Sequence, residues 1–128
     1  MRAIADTNVF LWVAGSVLRL SPVARQFIED GENELLLSVV SAWEIAIKSA
    51  KGHLDLPESA TSYVPARMTR HGFDSLPILS PHALHVATLP PIHRDPFDRL
   101  LIAQAQVEDL PVITADAHFA RYGVEVVW

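Results

Sequence analysis

The stretch MRAIADTNVFLWVA, residues 1–14, decides the reading of this chain. Met1–Ala5 is short and, apart from Arg2, apolar, as a buried strand is, and it ends at Asp6. From Thr7 to Ala14 the apolar residues Val9, Phe10, Leu11, Val13 and Ala14 leave a helix with little polar face, and Gly15 marks its end. One acid thus stands where a strand hands over to a helix.

The same alternation continues outward. Ser21-Pro22 opens a second helix to about Asp30, with Ser as cap and Pro in the first helical position. Leu35–Leu37 reads as a strand and Ser38–Lys51 as a helix closed by Gly52. Residues 58–71 read as a helix interrupted by Pro65. Phe73–Leu79 is extended but carries Pro77, which suits it poorly to the middle of a sheet. Ser80-Pro81 opens a short helix, Asp95-Pro96 opens another to about Val107, and Pro111–Thr114 and Val124–Val127 are the remaining strands. Strands alternating with helices predict an α/β fold, a three-layer α/β/α sandwich with a mostly parallel central sheet, as one domain over residues 1–128. In such a sheet the carboxyl ends of the strands share one edge, where ligands bind.

Composition narrows the function classes. A chain of 128 residues buries roughly two thirds of its unfolded surface in one core, and 50% hydrophobic with 20% charged residues is a globular balance. The absence of cysteine excludes disulfides and thiolate metal sites, so any metal must be held by oxygen or imidazole, and a reducing cytoplasm is expected. No run approaches the roughly 18 apolar residues of a membrane span, and Asp6 and Asn8 break what would be the core of a signal peptide. The net charge of −5 argues against broad electrostatic adhesion to nucleic acid, so a nuclease of this composition must rely on cations and local arginines.

Asp6, Glu44, Asp98 and Asp116 each follow a predicted strand or open a helix. Each has an ordinary structural reading: Asp6 as an N-cap, Ser41-Ala-Trp-Glu44 as a capping box, Asp95 and Asp98 at the positive end of a helix, Asp116 in a turn. Capping, however, does not require all four ends to collect at one sheet edge. Carboxylates gathered side by side repel one another unless a cation joins them. Mg²⁺, with Mn²⁺ as a substitute, suits a set of oxygen ligands. Two such ions about 4 Å apart can activate water and stabilise the leaving oxygen of a phosphodiester.

Other polar residues fit as a supporting shell. Thr7, Ser41 and Thr114 are placed to donate to carboxylates, Asn8 to contact a phosphate, and Arg94 and Arg99, which flank Asp98, to clamp one. Lys48 reads as a surface ion pair with Glu44. Trp12 and Trp43 read as core before base-stacking platforms, and the six histidines show no clear metal spacing.

Together these residues carry a family likeness. Ala5-Asp6-Thr7-Asn8 through Leu11-Trp12, Ser38-Val-Val-Ser41-Ala-Trp43-Glu44-Ile-Ala-Ile-Lys48, His93-Arg-Asp-Pro-Phe-Asp98-Arg-Leu-Leu-Ile-Ala-Gln-Ala105 and Thr114-Ala-Asp116 resemble, in order over almost the whole chain, a PIN-domain ribonuclease toxin of the VapC type. The resemblance implies an α/β/α sandwich, Mg²⁺-dependent endoribonuclease activity on RNA that arrests growth, a homodimer, and a cognate antitoxin that blocks the site. It also implies Asp6, Glu44, Asp98 and Asp116 as the acidic quartet, with Thr114 beside them. The run with Asp98 holds a second acid, Asp95, which makes the third ligand ambiguous; its place before Pro96 favours it as the helix cap. Two other classes compete: a receiver-like phosphoryl-transfer domain, whose acid pair is not evident at Asp6-Thr7-Asn8, and a catalytically silent RNA- or protein-binding domain, which net acidity and an intact quartet suit poorly.

Overall fold

The computed structural model describes all residues, 1–128. β1 (Arg2–Ala5) leads into α1 (Thr7–Gly15), α2 (Pro22–Glu29), β2 (Glu34–Ser38), α3 (Val39–Ala50), α4 (Ala60–His71), β3 (Phe73–Leu76), α5 (Ser80–His85), α6 (Pro96–Glu108), β4 (Val112–Ile113) and β5 (Val126–Val127). The five strands form one sheet in the order β3-β2-β1-β4-β5, and every pairing is parallel.

Two apolar clusters, one on each sheet face, make the three layers. Ala3, Ala5, Leu35, Leu37 and Ile113 point to the face covered by α1, α2 and α4, while Ile4, Leu36 and Val112 point to α6 and the segment Phe119–Val124. The alternation follows the pleat of each strand. The small Ala3 and Ala5 of the central strand leave room for Phe10 of α1, which meets Phe73 edge-on at 5.3 Å. α3 serves both faces, with Ile45 in one cluster and Val40 in the other.

Local chemistry sets the helix ends. Ser21 accepts from Ala24 N at 3.0 Å with Pro22 behind it, and Asp95 accepts from Phe97 N at 2.8 Å ahead of Pro96. The interruption expected at Pro65 does not occur: α4 runs through it, held by the buried Tyr63 and Val64, and ends at Gly72, whose φ of 74° turns the chain into β3. The extended segment predicted to Leu79 pairs only to Leu76 and is an edge strand, since Pro77 has no amide to extend the ladder.

Between α5 and α6 the chain is pinned by two side chains, Arg99 and Tyr122. Arg99 donates to the carbonyls of Pro90 (2.9 Å), Val86 (3.3 Å) and Leu89 (3.3 Å), and it lies 3.4 Å from those of His93 and the hydroxyl of Tyr122. The Tyr122 hydroxyl donates to Pro90 O at 3.1 Å and accepts from His93 N at 2.7 Å. Arg99→Ala should therefore destabilise the fold by about 1.5–3 kcal/mol, the range for hydrogen bonds to a charged group. Urea denaturation measures this, and an unchanged midpoint would mean that water replaces the guanidinium at little cost.

Candidate active site

The strand order puts a switch point beside β1: the chain progresses from β1 to β2 and β3, then returns on the other side to β4 and β5. A crevice opens at the carboxyl ends of such neighbours. Asp6 follows β1 there, and Thr114 and Asp116 follow β4. Asp6 N donates to Ile113 O at 3.0 Å, Asp6 Oδ1 accepts from Val9 N at 2.7 Å, and Asp6 Oδ2 accepts from the Thr114 hydroxyl. That hydroxyl in turn accepts from Asp116 N at 3.0 Å. Asp6 is thus both the cap of α1 and a member of the acid set.

Glu44 arrives from the other side. Ser38, not Ser41, caps α3, accepting from Val40 N at 3.1 Å, so Ser41-Ala-Trp-Glu44 forms no capping box and Glu44 lies deeper in the helix. It is 6% exposed, accepts from Thr7 Oγ1 at 2.6 Å, and is paired with Lys48; Ser41 Oγ lies 2.9 Å from the same Thr7 oxygen. The expected surface pair is therefore half buried, with its carboxylate inside.

Asp98 stands in the first turn of α6, and Asp95 caps that helix, accepting from both Phe97 N and Asp98 N. His93 joins Asp98 to Asp116: its Nε2 lies 3.1 Å from Asp98 Oδ2 and 3.0 Å from Asp116 Oδ2. Asp116 Oδ1 accepts from His118 N at 2.9 Å and sits 2.8 Å from His118 Nδ1. Neither histidine stood out by spacing; the signal available was the place of His93 five residues before Asp98. The charges of Asp116 and Glu44 reach Asp6, and those of Glu44 and Asp6 reach Asp98, but the four acids do not close on a point, for the only trio with ligand atoms all within 4.8 Å is His93, Asp116 and His118.

Burial raises the pKa of Asp6, which the bonds from Thr114 and Val9 oppose and the charges of Asp116 and Glu44 reinforce. Asp98 is pushed up to about 7, by burial first and then by Asp95, with Glu44 and Asp6 adding to it and His93 opposing. For Asp116 burial also acts upward, but the bonds from His118 and His93 outweigh it and leave the group below the usual carboxylate range. Lys48 is raised by its bond to Glu44, with Asp95 and Asp98 contributing. Asp6 and Asp98, raised by burial first and by neighbouring carboxylates second, mark a set short of positive charge, and its ligand atoms are hard oxygens. This chemistry fits Mg²⁺ or Mn²⁺. Asp6, Glu44, Asp98 and Asp116 are the residues that would hold such an ion.

Two expectations are corrected. Arg99 is not turned toward the acids, because its donors face the backbone carbonyls of residues 86–93. Trp43 is 54% exposed rather than core: α3 turns Val40, Ser41, Glu44 and Ile45 inward, which leaves Trp43 on the rim against Phe97, with ring centroids 5.2 Å apart. Trp12 does pack at the core edge, 5.9 Å from Trp128. Asn8 and Arg94 are exposed and without side-chain partners.

The raised pKa of Asp98 gives a pH dependence. A folded value of about 7 against an ordinary 3.8 means that the native state holds the extra proton between those pH values. This contribution to stability is complete at low pH and is lost as pH rises through about 7. Asp116, already ionised at pH 5, adds no slope above that. Without divalent ions, the melting temperature should fall between pH 5 and 8, and Asp98→Asn should flatten the fall; parallel curves for the two proteins would contradict the assignment.

The model of the PIN domain matches residues 3–125. Ribonuclease VapC16 of Mycobacterium tuberculosis is 46% identical over 61 residues, which are 48% of this chain and 43% of that protein, so the match spans less than half the length of either. Among solved structures, VapBC2 from Rickettsia felis bound to a promoter DNA fragment superposes with a TM-score of 0.73 at 13% identity, covering 98% of this chain and 97% of that one. DNA-bound VapBC from Salmonella typhimurium gives 0.72 at 18%, covering 98% and 96%. These likenesses establish the fold. With the family model spanning nearly the whole sheet and every acid at its edge, the chain belongs to the PIN-domain family.

Proposed function

We propose that this protein is a Mg²⁺-dependent endoribonuclease and the toxin of a toxin–antitoxin pair. The observation that carries the reading is the gathering of Asp6, Glu44, Asp98 and Asp116 at one sheet edge of a PIN domain, where burial and neighbouring carboxylates raise the pKa of Asp6 and Asp98. The similarity to Ribonuclease VapC16 and to VapBC complexes supports it.

Mg²⁺, or Mn²⁺ in its place, would supply the positive charge that favours attack of water on a phosphodiester and departure of the leaving oxygen. The chain's own residues prepare the place. Thr114 and the Val9 amide orient Asp6, Thr7 orients Glu44, and the His118 amide orients Asp116, so the carboxylates meet the ion without first ordering. Arg94, exposed beside Asp95, is the cation free to meet a phosphate, and Asn8 is the free polar group on the α1 side. The remaining partners of this reading are single-stranded RNA, a second copy of the chain and a cognate antitoxin, and its setting is the cytoplasm; no helix is long and apolar enough to cross a membrane. A receiver-like role is disfavoured because Asp6 is followed by Thr7 and Asn8, not by another acid.

Asp98→Asn, which keeps a polar group at the helix end but removes a ligand charge, should lower Mg²⁺-dependent cleavage of labelled RNA at least ~10²-fold. Asp95→Asn should mainly cost about 1 kcal/mol of stability as a weakened cap. Full activity in folded Asp98→Asn would sink the ligand assignment. Expression alone should arrest growth, and a small protein encoded beside this one should relieve the arrest by binding it. If that protein places an arginine among the carboxylates, excess Mg²⁺ should partly restore cleavage by the complex. Harmless expression of active protein would remove the toxin reading and leave the nuclease.

A further inference from the structure

His93 is the side chain that touches two of the acids at once. Its Nε2 lies 3.1 Å from Asp98 Oδ2 and 3.0 Å from Asp116 Oδ2, in the gap between those two oxygens where a cation shared by them would sit. Its other ring nitrogen fixes what it can do there. The amide of Asp95 points at Nδ1 from 3.2 Å, so Nδ1 accepts and the neutral ring carries its proton on Nε2, facing the acids. Metal-bound histidines are arranged the other way, donating the proton of the second nitrogen to an acceptor behind the ring. Although His93, Asp116 and His118 bring ligand atoms within 4.8 Å, the ring of His93 is therefore set as a hydrogen-bond donor.

We propose that His93 is an internal stand-in for the active-site cation: its Nε2–H bridges Asp98 and Asp116, and the ring must withdraw before Mg²⁺ can join them. This rests on the Mg²⁺-nuclease reading above. Only the side chain has to move, because the backbone of His93 is held independently, its N donating to Tyr122 Oη at 2.7 Å and its O lying 3.4 Å from Arg99. On the solvent side the ring meets His118, which is more than half exposed and can give way, at a centroid distance of 5.3 Å. His93 then does two things. It keeps two carboxylates compatible in the absence of metal, and it sets the Mg²⁺ concentration at which the site fills, because binding must break its hydrogen bonds first.

Calorimetric titration of Mg²⁺ into the wild type, His93→Ala and His93→Ser tests this. The backbone anchors of residue 93 are untouched in both variants. Both should bind Mg²⁺ more tightly than the wild type, by a factor on the order of ten, the value of a hydrogen bond to a charged group that no longer has to be broken. Both should also melt lower than the wild type without metal. Equal or weaker binding in folded variants overturns the proposal, making His93 a bystander or a ligand, while the nuclease reading stands. No Mg²⁺ binding by the wild type or the variants removes the nuclease reading and this inference together. Should the variants fail to fold, ¹⁵N-histidine NMR of the wild type decides: without metal His93 should show an Nε2–H tautomer, which saturating Mg²⁺ should convert to the exchanging tautomers of a free ring. Ring signals unchanged by Mg²⁺ overturn the proposal.

Discussion

One residue, Asp6, meets three demands at once. Its amide closes the last rung between β1 and β4, one carboxylate oxygen caps α1, and the other takes the hydroxyl proton of Thr114. A carboxylate only 8% exposed is costly unless its oxygens are hydrogen-bonded, and here each has a donor. Meeting them sets the direction in which α1 leaves the sheet and ties the end of β4 to the end of β1. Through Thr114, which also receives the Asp116 amide, the same contact sets where the second strand delivers its acid. The acids are neighbours because the sheet closes in this way.

The other half of the site depends on a different device. Helix α6 can place Asp98 only if the segment before it is held, and the Arg99 and Tyr122 bonds to residues 86–93 do this with side chains where only a short 3-10 turn, Val86–Thr88, is regular. A guanidinium with several donors suits a set of carbonyls turned toward it where Pro90 and Pro91 prevent a helix. Arg99 is thus absorbed by the fold, and Arg94 is left as the free cation. In a protein of net charge −5, the positive groups near the acids are few: Lys48 on Glu44, and Arg94 at the rim. With so few cations of its own, a site of this charge suits divalent ions, and under the proposed function it offers RNA local contacts only.

Much of this was legible along the chain because the signals are local. The strand-to-helix step at Asp6, the Ser21-Pro22 and Asp95-Pro96 caps and the alternation of elements are set by residues within a few positions of one another, so they survive without tertiary context. Other local signals were outcompeted. The Ser41–Glu44 box lost to Ser38, which sits at the true end of β2, and Trp43, apolar in its helix, was turned outward because the buried stripe of α3 runs through Val40, Ser41, Glu44 and Ile45.

The sequence by itself determined the class of fold and the order of its elements, since periodicity and capping are properties of short segments, and it singled out the four acids of the proposed site. Only the tertiary structure decided the strand order that puts β4 beside β1, the anchoring of Arg99 on carbonyls, and the place of His93 between Asp98 and Asp116. Those depend on contacts such as the bond from Thr114 to Asp6 across 108 positions of chain. Such contacts form only when the whole core packs, and no local pattern encodes them.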